Sequence, residues 1–318
     1  MSLTAALRPA LAPEKFRNPD ITARGDIRAK VALRALETLW FNTGTLCNLT
    51  CNNCYIESSP RNDRLSYLSR AEVAGYLDEI AHAGLPTRLI GFTGGEPFMN
   101  PDMIPMLEDT LARGFDALVL TNAMRPLQKV QDAVGGLHQK FGSRLTVRVS
   151  LDHYGPAVHD AERGPRTWQQ TLDGLIWLAA HGVQIHVAAR LLSGEPEDTL
   201  RAGFGRLFAE RGIGIDATDP VRLMLFPEMD AIHDVPEITE ACWGILGKSP
   251  SSVMCASARM VVKRKGAASP TIVACTLLPY DEQFELGTTL AEASRPVSLN
   301  HPHCATFCVL GGAACSRG

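Results

Sequence analysis

The sequence predicts an α/β protein, a partial barrel of six β/α units followed by a small C-terminal α+β lobe. Between residues 38 and 226, short apolar or alternating runs give way to stretches of helical period, six times over. That pattern implies parallel strands joined by right-handed crossovers. Six units are too few to close an eight-unit barrel. After about residue 248 a hairpin signature and a tail rich in Pro, Cys and Gly replace the pattern. The expected division is an arm over 1–37, the barrel over 38–247 and the lobe over 248–318.

Residues 1–24, rich in Ala, Pro and Arg, read as a loose arm, and 26–37 as a short amphipathic helix through Ile27, Val31, Leu33 and Leu36. Strand one covers about 38–44. A helix opens at Ser69, where Ser69 and Glu72 form a capping box, continues through Val73, Tyr76, Leu77 and Ile80, and stops at Gly84. Strand two, about 87–93, delivers Gly94-Gly95-Glu96-Pro97, and Asn100-Pro101 opens the next helix. Strand three runs from Ala117 to Thr121, with a helix after Asn122 reaching Phe141. Strand four, 144–151, sets Leu145, Val147 and Val149 against Thr146, Arg148 and Ser150. A helix carrying Trp168, Leu172, Leu175, Ile176 and Ala179 follows. Strand five alternates Val183, Ile185 and Val187 with His186, Ala188 and Arg190. The helix over 198–211 stacks Leu200, Phe204, Leu207 and Phe208, and strand six spans Val221 to Phe226. Helices cover the outer face of such a sheet, so Arg148, His186, Arg190 and Arg222 are expected on the lumen side. The lobe begins with a hairpin, Met260–Lys265 and Thr271–Cys275, and a short helix near 289–293 follows.

A chain of 318 residues with 45% hydrophobic and 20% charged content supports a full core. A formal charge of −3 gives no electrostatic footprint for nucleic acid. No window approaches the about 18 apolar residues of a membrane span, and the start lacks a signal-peptide core. Nine cysteines in a chain of this size, without an export signal, point to metal binding or catalysis in a reducing cytoplasm.

The chemistry gathers at Cys47-Asn-Leu-Thr-Cys51-Asn-Asn-Cys54-Tyr55, directly after strand one. A short loop lets three thiolates turn toward one metal cluster. A closed cube or a structural zinc takes four protein ligands, so one corner is left open. The spacing alone also suits a partial zinc site completed by a distant His, or ordinary buried thiols. One strand–helix unit later, Gly94-Gly95-Glu96-Pro97 sits at a strand's carboxyl end, where glycines admit close approach and a carboxylate can receive an ammonium.

The triplet followed by this tetrad resembles the radical SAM superfamily. The resemblance implies a partial (β/α)6 TIM-like barrel, a 4Fe–4S cluster on Cys47, Cys51 and Cys54, and S-adenosylmethionine on the fourth iron. It further implies cofactor contacts from Gly94, Gly95, Glu96 and Pro97, and from Asn122, Ser150 and Asp152 at later strand ends. Tyr55 is expected near the adenine, shielding the cluster or in core packing, and Arg190 at the cofactor's carboxylate, at an anionic substrate or in a salt bridge within the barrel mouth. The implied reaction is reductive cleavage to a 5′-deoxyadenosyl radical that abstracts a substrate hydrogen. The electron would come from a low-potential donor such as flavodoxin or ferredoxin. No acid–base triad is expected.

Cys255, Gly266 and Cys275, with Cys304, Cys308 and Cys315 folding back, resemble the SPASM/twitch extensions that carry an auxiliary 4Fe–4S cluster. The Gly266–Cys275 stretch is longer than the family pattern and the dense cysteine run of full SPASM domains is absent. One twitch-type cluster is therefore expected, with structural zinc and unliganded thiols as the rivals. His301 and His303 are read as structural, and Cys242 stands apart. The main functional expectation is hydrogen abstraction from a small molecule, because the arm looks too short and Pro-rich for a complete leader-binding domain. A peptide maturase is the alternative, and a non-catalytic Fe–S or zinc protein is the alternative from another class.

Overall fold

The computed structural model describes residues 9–191, 194–227 and 231–312. Its strands are β1 (Lys30–Val31), β2 (Thr38–Asn42), β3 (Leu89–Thr93), β4 (Asp116–Thr121), β5 (Leu145–Ser150), β6 (Gln184–Arg190), β7 (Leu223–Phe226), β8 (Ala258–Val262), β9 (Thr271–Val273), β10 (Glu285–Gly287) and β11 (Val297–Ser298). The helices are α1 (Arg70–His82), α2 (Met103–Ala112), α3 (Arg125–Gln128), α4 (Gln131–Phe141), α5 (Pro156–Arg163), α6 (Thr167–Ala180), α7 (Glu197–Arg211) and α8 (Cys242–Leu246).

Strands β2 to β7 are parallel and sequential neighbours, the expected six-unit partial barrel. β10 and β7 are the sheet's two edges, so the barrel stays open. The C-terminal hairpin continues this sheet: β8 runs parallel to β2, and β9 and β10 follow antiparallel. One cross-strand pair shows how the sheet is filled. Trp40 on β2 lies opposite Gly91 on β3, and a Cβ at Gly91 would stand 2.3 Å from the indole.

Helix α1 matches its expected form: Ser69 and Glu72 make the reciprocal capping box, and Val73, Tyr76, Leu77 and Ile80 are buried. Leu200, Phe204, Leu207 and Phe208 of α7 are buried as their spacing requires.

Four local expectations are corrected. Residues 26–37 form no helix. Ala29 and Val31 are buried and Lys30 between them is exposed, the alternation of a strand, and β1 pairs with β11. The described part of the arm is not loose. Fully buried Arg28 meets Glu237 at 2.5 Å, Lys15 meets Asp234 at 2.7 Å, and the Phe16 and Ala23 amides donate to Glu237. Asn100 does not cap α2, whose N-cap is Asp102; its amide instead donates to the carbonyls of Thr43 and Leu68, tying β2's exit to α1's entry. The helix near 289–293 is a single 3-10 turn, Glu292–Ser294.

Candidate functional site

The cysteine loop leaves β2 at Asn42 and is pinned on three sides. On the first, the Cys47 amide donates to Ser59 at 3.1 Å, and Leu49 and Ser58 amides donate to the sulfurs of Cys47 and Cys54 at 3.4 and 3.3 Å. Amides aimed at sulfur stabilise thiolate character. On the second, Asn52 and Asn53 grip the end of α5: the Asn52 amide and side chain donate to the Glu162 and Ala161 carbonyls, and the Asn53 side chain to the Glu162 carboxylate, each at 2.8 Å. On the third, Tyr280, far along the chain, donates its hydroxyl to Ile56 at 2.8 Å and accepts from Asn62 at 3.2 Å.

The paired glycines have a different reason from the one their sequence suggests. The Gly95 amide donates to Gly44 at 2.8 Å and the Glu96 amide to Leu46 at 3.1 Å. A Cβ on Gly95 would lie 2.2 Å from the Leu46 carbonyl oxygen, and one on Gly94, at φ +145°, 2.5 Å from that of Gly44. The close approach is therefore made by the cysteine loop itself. Glu96 is buried beneath it. Its carboxylate accepts from the Thr121 hydroxyl and the Asn122 amide at 2.8 Å and from the Phe98 amide at 3.2 Å. Burial pushes its pKa up to about 7, against those hydrogen bonds. Pro97 is buried at the head of a 3-10 turn, and neither Glu96 nor Pro97 lines the cavity above. The Asn122 side chain reaches Asn48 in the cysteine loop at 2.9 Å.

Asp152, 2% exposed just past β5, is held bidentately by Arg163 at 2.6 and 2.9 Å, with Arg190 at 3.7 Å. Burial works against the carboxylate, but Arg163's charge and hydrogen bonds outweigh it and hold the pKa below the usual range. The Asp152 amide donates to His159 Nδ1 at 3.1 Å, and burial holds that imidazole neutral, its pKa down at about 4. Arg163 escaped the sequence reading. A signal existed in Gly155-Pro156 at one end and Arg163-Gly164 at the other, ordinary start and stop marks of a helix.

Two adjoining cavities open at the strands' carboxyl ends. The first, about 120 Å³, is lined by Cys47, Cys51, Cys54, Gly94, Gly95 and Asn122, among others. The second, about 110 Å³, runs toward Phe226, Leu277 and Phe307. Tyr55, Leu120, Ser150, Arg163 and Arg190 border both. Arg222 is not in the lumen. It is half exposed in the turn before β7, 3.9 Å from Asp219.

The three thiols fit an iron–sulfur cluster by donor chemistry. Burial pushes Cys47 up to about 12 and raises Cys51, where Arg163 opposes it, so ionisation calls for a cation at the sulfurs. Among the described residues, no three His, Cys, Asp or Glu side chains converge as a single ion requires. In a cube each sulfur takes its own iron, so thiols spread around a cavity suit a cluster better than a lone zinc.

Cys255, Cys275, Cys304 and Cys308 border a third, apolar cavity between the hairpin and the C-terminal π-helical turn Cys304–Leu310. Its volume is about 20 Å³, so a cluster there would turn the thiols from their present rotamers. Burial pushes Cys255 up to about 12 and Cys304 well up, neighbouring thiols adding to both shifts. Arg259, 1% exposed, lies beside them and donates to the carbonyls of Cys255, Ala258, Ala293 and Arg295. Among the described residues it meets no carboxylate. Cys242 lies outside this cavity and accepts from the Thr239 amide. His301 and His303 pack on each other, ring centroids 4.6 Å apart. Cys315 falls outside the described residues.

Among curated relatives, the antilisterial bacteriocin subtilosin biosynthesis protein AlbA of Bacillus subtilis (strain 168) is 32% identical over 143 residues, 45% of this chain and 30% of that protein. The GTP 3′,8-cyclase of a Picosynechococcus species is 31% identical over 144 residues, 43% of this chain and 41% of its own. The chain thus spans less than half of either relative. In fold it is similar to anSMEcpe, solved with bound AdoMet and Kp18Cys peptide: TM-score 0.56, 14% identity, 84% of this chain and 82% of that one. This likeness extends past the barrel into the C-terminal segment. A family model described as the Radical SAM superfamily matches residues 41–202, half of the chain, across the cysteine loop, the Gly94–Pro97 edge and Asp152. The chain belongs to the radical SAM superfamily, a family of enzymes.

Proposed function

We propose that this protein is a radical SAM enzyme that modifies a peptide. The observation that carries the chemistry is the meeting of three thiols, the Gly94-Gly95 edge and Arg163, itself held by Asp152, around one cavity. Cys47, Cys51 and Cys54 would hold a 4Fe–4S cluster, and the residues at the ends of β3 to β6 would hold S-adenosylmethionine. When bound, these groups supply reductive cleavage of the sulfonium and hydrogen abstraction, with one electron drawn from a flavodoxin- or ferredoxin-type donor. Gly94, Gly95, Asn122 and Ser150 border the cofactor, while Glu96 and Pro97 brace that edge from below. Tyr55 shields the cluster side, and Arg163 and Arg190 meet carboxylates where the two cavities join. Cys255, Cys275, Cys304 and Cys308 hold an auxiliary cluster. Arg259 supports this, because a buried guanidinium without a carboxylate suits an anionic thiolate–metal group as neighbour.

The peptide reading departs from the small molecule the sequence favours. Arg163 and Arg190, set against Asp152, leave one excess positive charge, whereas a nucleoside triphosphate calls for several cationic partners. A solved structure of the same fold holds a peptide. The test is anaerobic reconstitution with iron and sulfide, then dithionite, S-adenosylmethionine and a deuterated extract split by ultrafiltration into peptides and small metabolites. The expected result is 5′-deoxyadenosine carrying deuterium from the peptide fraction, with half the iron lost in Cys255→Ala. Deuterium from the metabolite fraction alone overturns the peptide reading. Absence of 5′-deoxyadenosine overturns the chemistry.

A further inference from the structure

We infer that the second cavity is a specificity pocket for an apolar side chain of the substrate, aromatic or branched aliphatic, with part of its wall built by the C-terminal segment. The inference rests on the proposed peptide substrate and adds which residue type the enzyme selects.

The cavity has two unlike ends. Where it joins the thiol-lined cavity it carries Ser150, Asp152, Arg163 and Arg190, the charged groups paired with one another. Away from that junction its wall is Ala188, Phe226, Pro227, Leu277 and Phe307, all apolar. Phe226 closes β7 and stacks on Phe307, ring centroids 5.5 Å apart and planes 25° from parallel. A stacked aromatic pair presents a flat wall that favours another ring or a branched chain. Ala188 on β6, on the same face as Arg190, leaves space that a larger residue would fill. A Lys or Asp side chain pushed to this end would lose its hydration, with no counter-group among the described residues of that wall. At about 110 Å³ the cavity has the scale of one side chain. An apolar chain seated there lies beside Ser150 and Arg190, at the junction facing the thiols. Phe307 lies between Cys304 and Cys308, and Leu277 two residues past Cys275. Part of the selecting wall is therefore built by the segments that carry the C-terminal thiols.

The test uses the full reconstituted chain with S-adenosylmethionine and five probes: the N-acetyl amides of phenylalanine, leucine, aspartate and lysine, and GTP. Binding is read by saturation-transfer NMR. The phenylalanine and leucine amides should bind, and the aspartate and lysine amides about tenfold more weakly or not at all. Phe226→Trp, which fills the pocket, should weaken the phenylalanine amide by about tenfold with circular dichroism unchanged. If that variant fails to fold, Ala188→Leu narrows the same space from β6 and should give the same loss. Charged amides binding as well as apolar ones, silence from every amide, or phenylalanine binding indifferent to a folded filling variant each overturn the inference. Aspartate or lysine preferred leaves the peptide reading standing and removes only the apolar pocket. GTP binding with all amides silent removes the peptide reading itself.

Discussion

Gly95→Ala is the sharpest probe of how the site is held. The added methyl would sit 2.2 Å from the Leu46 carbonyl oxygen and 2.7 Å from that of Thr45, roughly 1 Å or more inside van der Waals contact. Both atoms are backbone, so no side chain can swing aside. Relief requires β3's exit and the cysteine loop to part, which strains the Gly95–Gly44 and Glu96–Leu46 hydrogen bonds, now 2.8 and 3.1 Å. Two such bonds are worth about 1–3 kcal/mol, and overpacking costs a further about 1–3 kcal/mol. The expected destabilisation is thus about 2–6 kcal/mol, read by urea unfolding of the apo-chain. Iron held by the first cluster should fall in parallel, because Cys47 follows Leu46. Gly136→Ala on α4 is the control: nothing lies within 4 Å of its Cβ position, so it should be neutral or stabilising by up to about 1 kcal/mol. Equal stability of Gly95→Ala and Gly136→Ala, with full iron in both, would refute this packing argument.

Two buried carboxylates should give opposite pH signatures. Glu96 has a folded pKa raised to about 7, so its proton favours the folded state. Its stabilisation is full below the unfolded value and lost as pH rises through 7, on the order of 3 kcal/mol in all. Glu96→Gln should flatten the apo-chain's stability between pH 5 and 8; an unchanged slope would reject the assignment. Asp152 behaves the other way. Its folded pKa is depressed, so its contribution is full above the ordinary carboxylate value and lost as pH falls through the folded one. Arg163→Met should cost about 3–5 kcal/mol at neutral pH by stranding a buried charge, Arg163→Lys should rescue little, and adding Asp152→Asn to Arg163→Met should recover much of the loss. A double variant no better than Arg163→Met alone would place Arg163's role elsewhere.

The legible parts of this molecule are those in which a local pattern and the tertiary need coincide. Helix α1 announces its capping box and its buried stripe within thirteen residues, and the thiol triplet sits in one short loop. What stayed hidden depends on partners distant in sequence or on a pattern with two readings. Residues 27–36 place apolar side chains so that a helix and an extended segment compete, and pairing of β1 with β11, from the far end of the chain, decides for the strand. Helix α5 buries only His159, so it has no apolar stripe to betray it. Yet it carries Arg163 to Asp152, and it offers its final carbonyls to Asn52 and the Glu162 carboxylate to Asn53. Tyr280 reaches Ile56 across 224 positions, a contact no local pattern encodes. The glycine pair shows a third kind of gap, in which the residues are legible but their reason is not. Close approach was to be expected at Gly94-Gly95, but the approaching group is the chain's own cysteine loop. The two motifs are therefore one mechanical unit, since the strand edge that borders the cofactor cavity also fixes where Cys47 stands. Substitutions at either motif should fail together, in stability as well as in metal content.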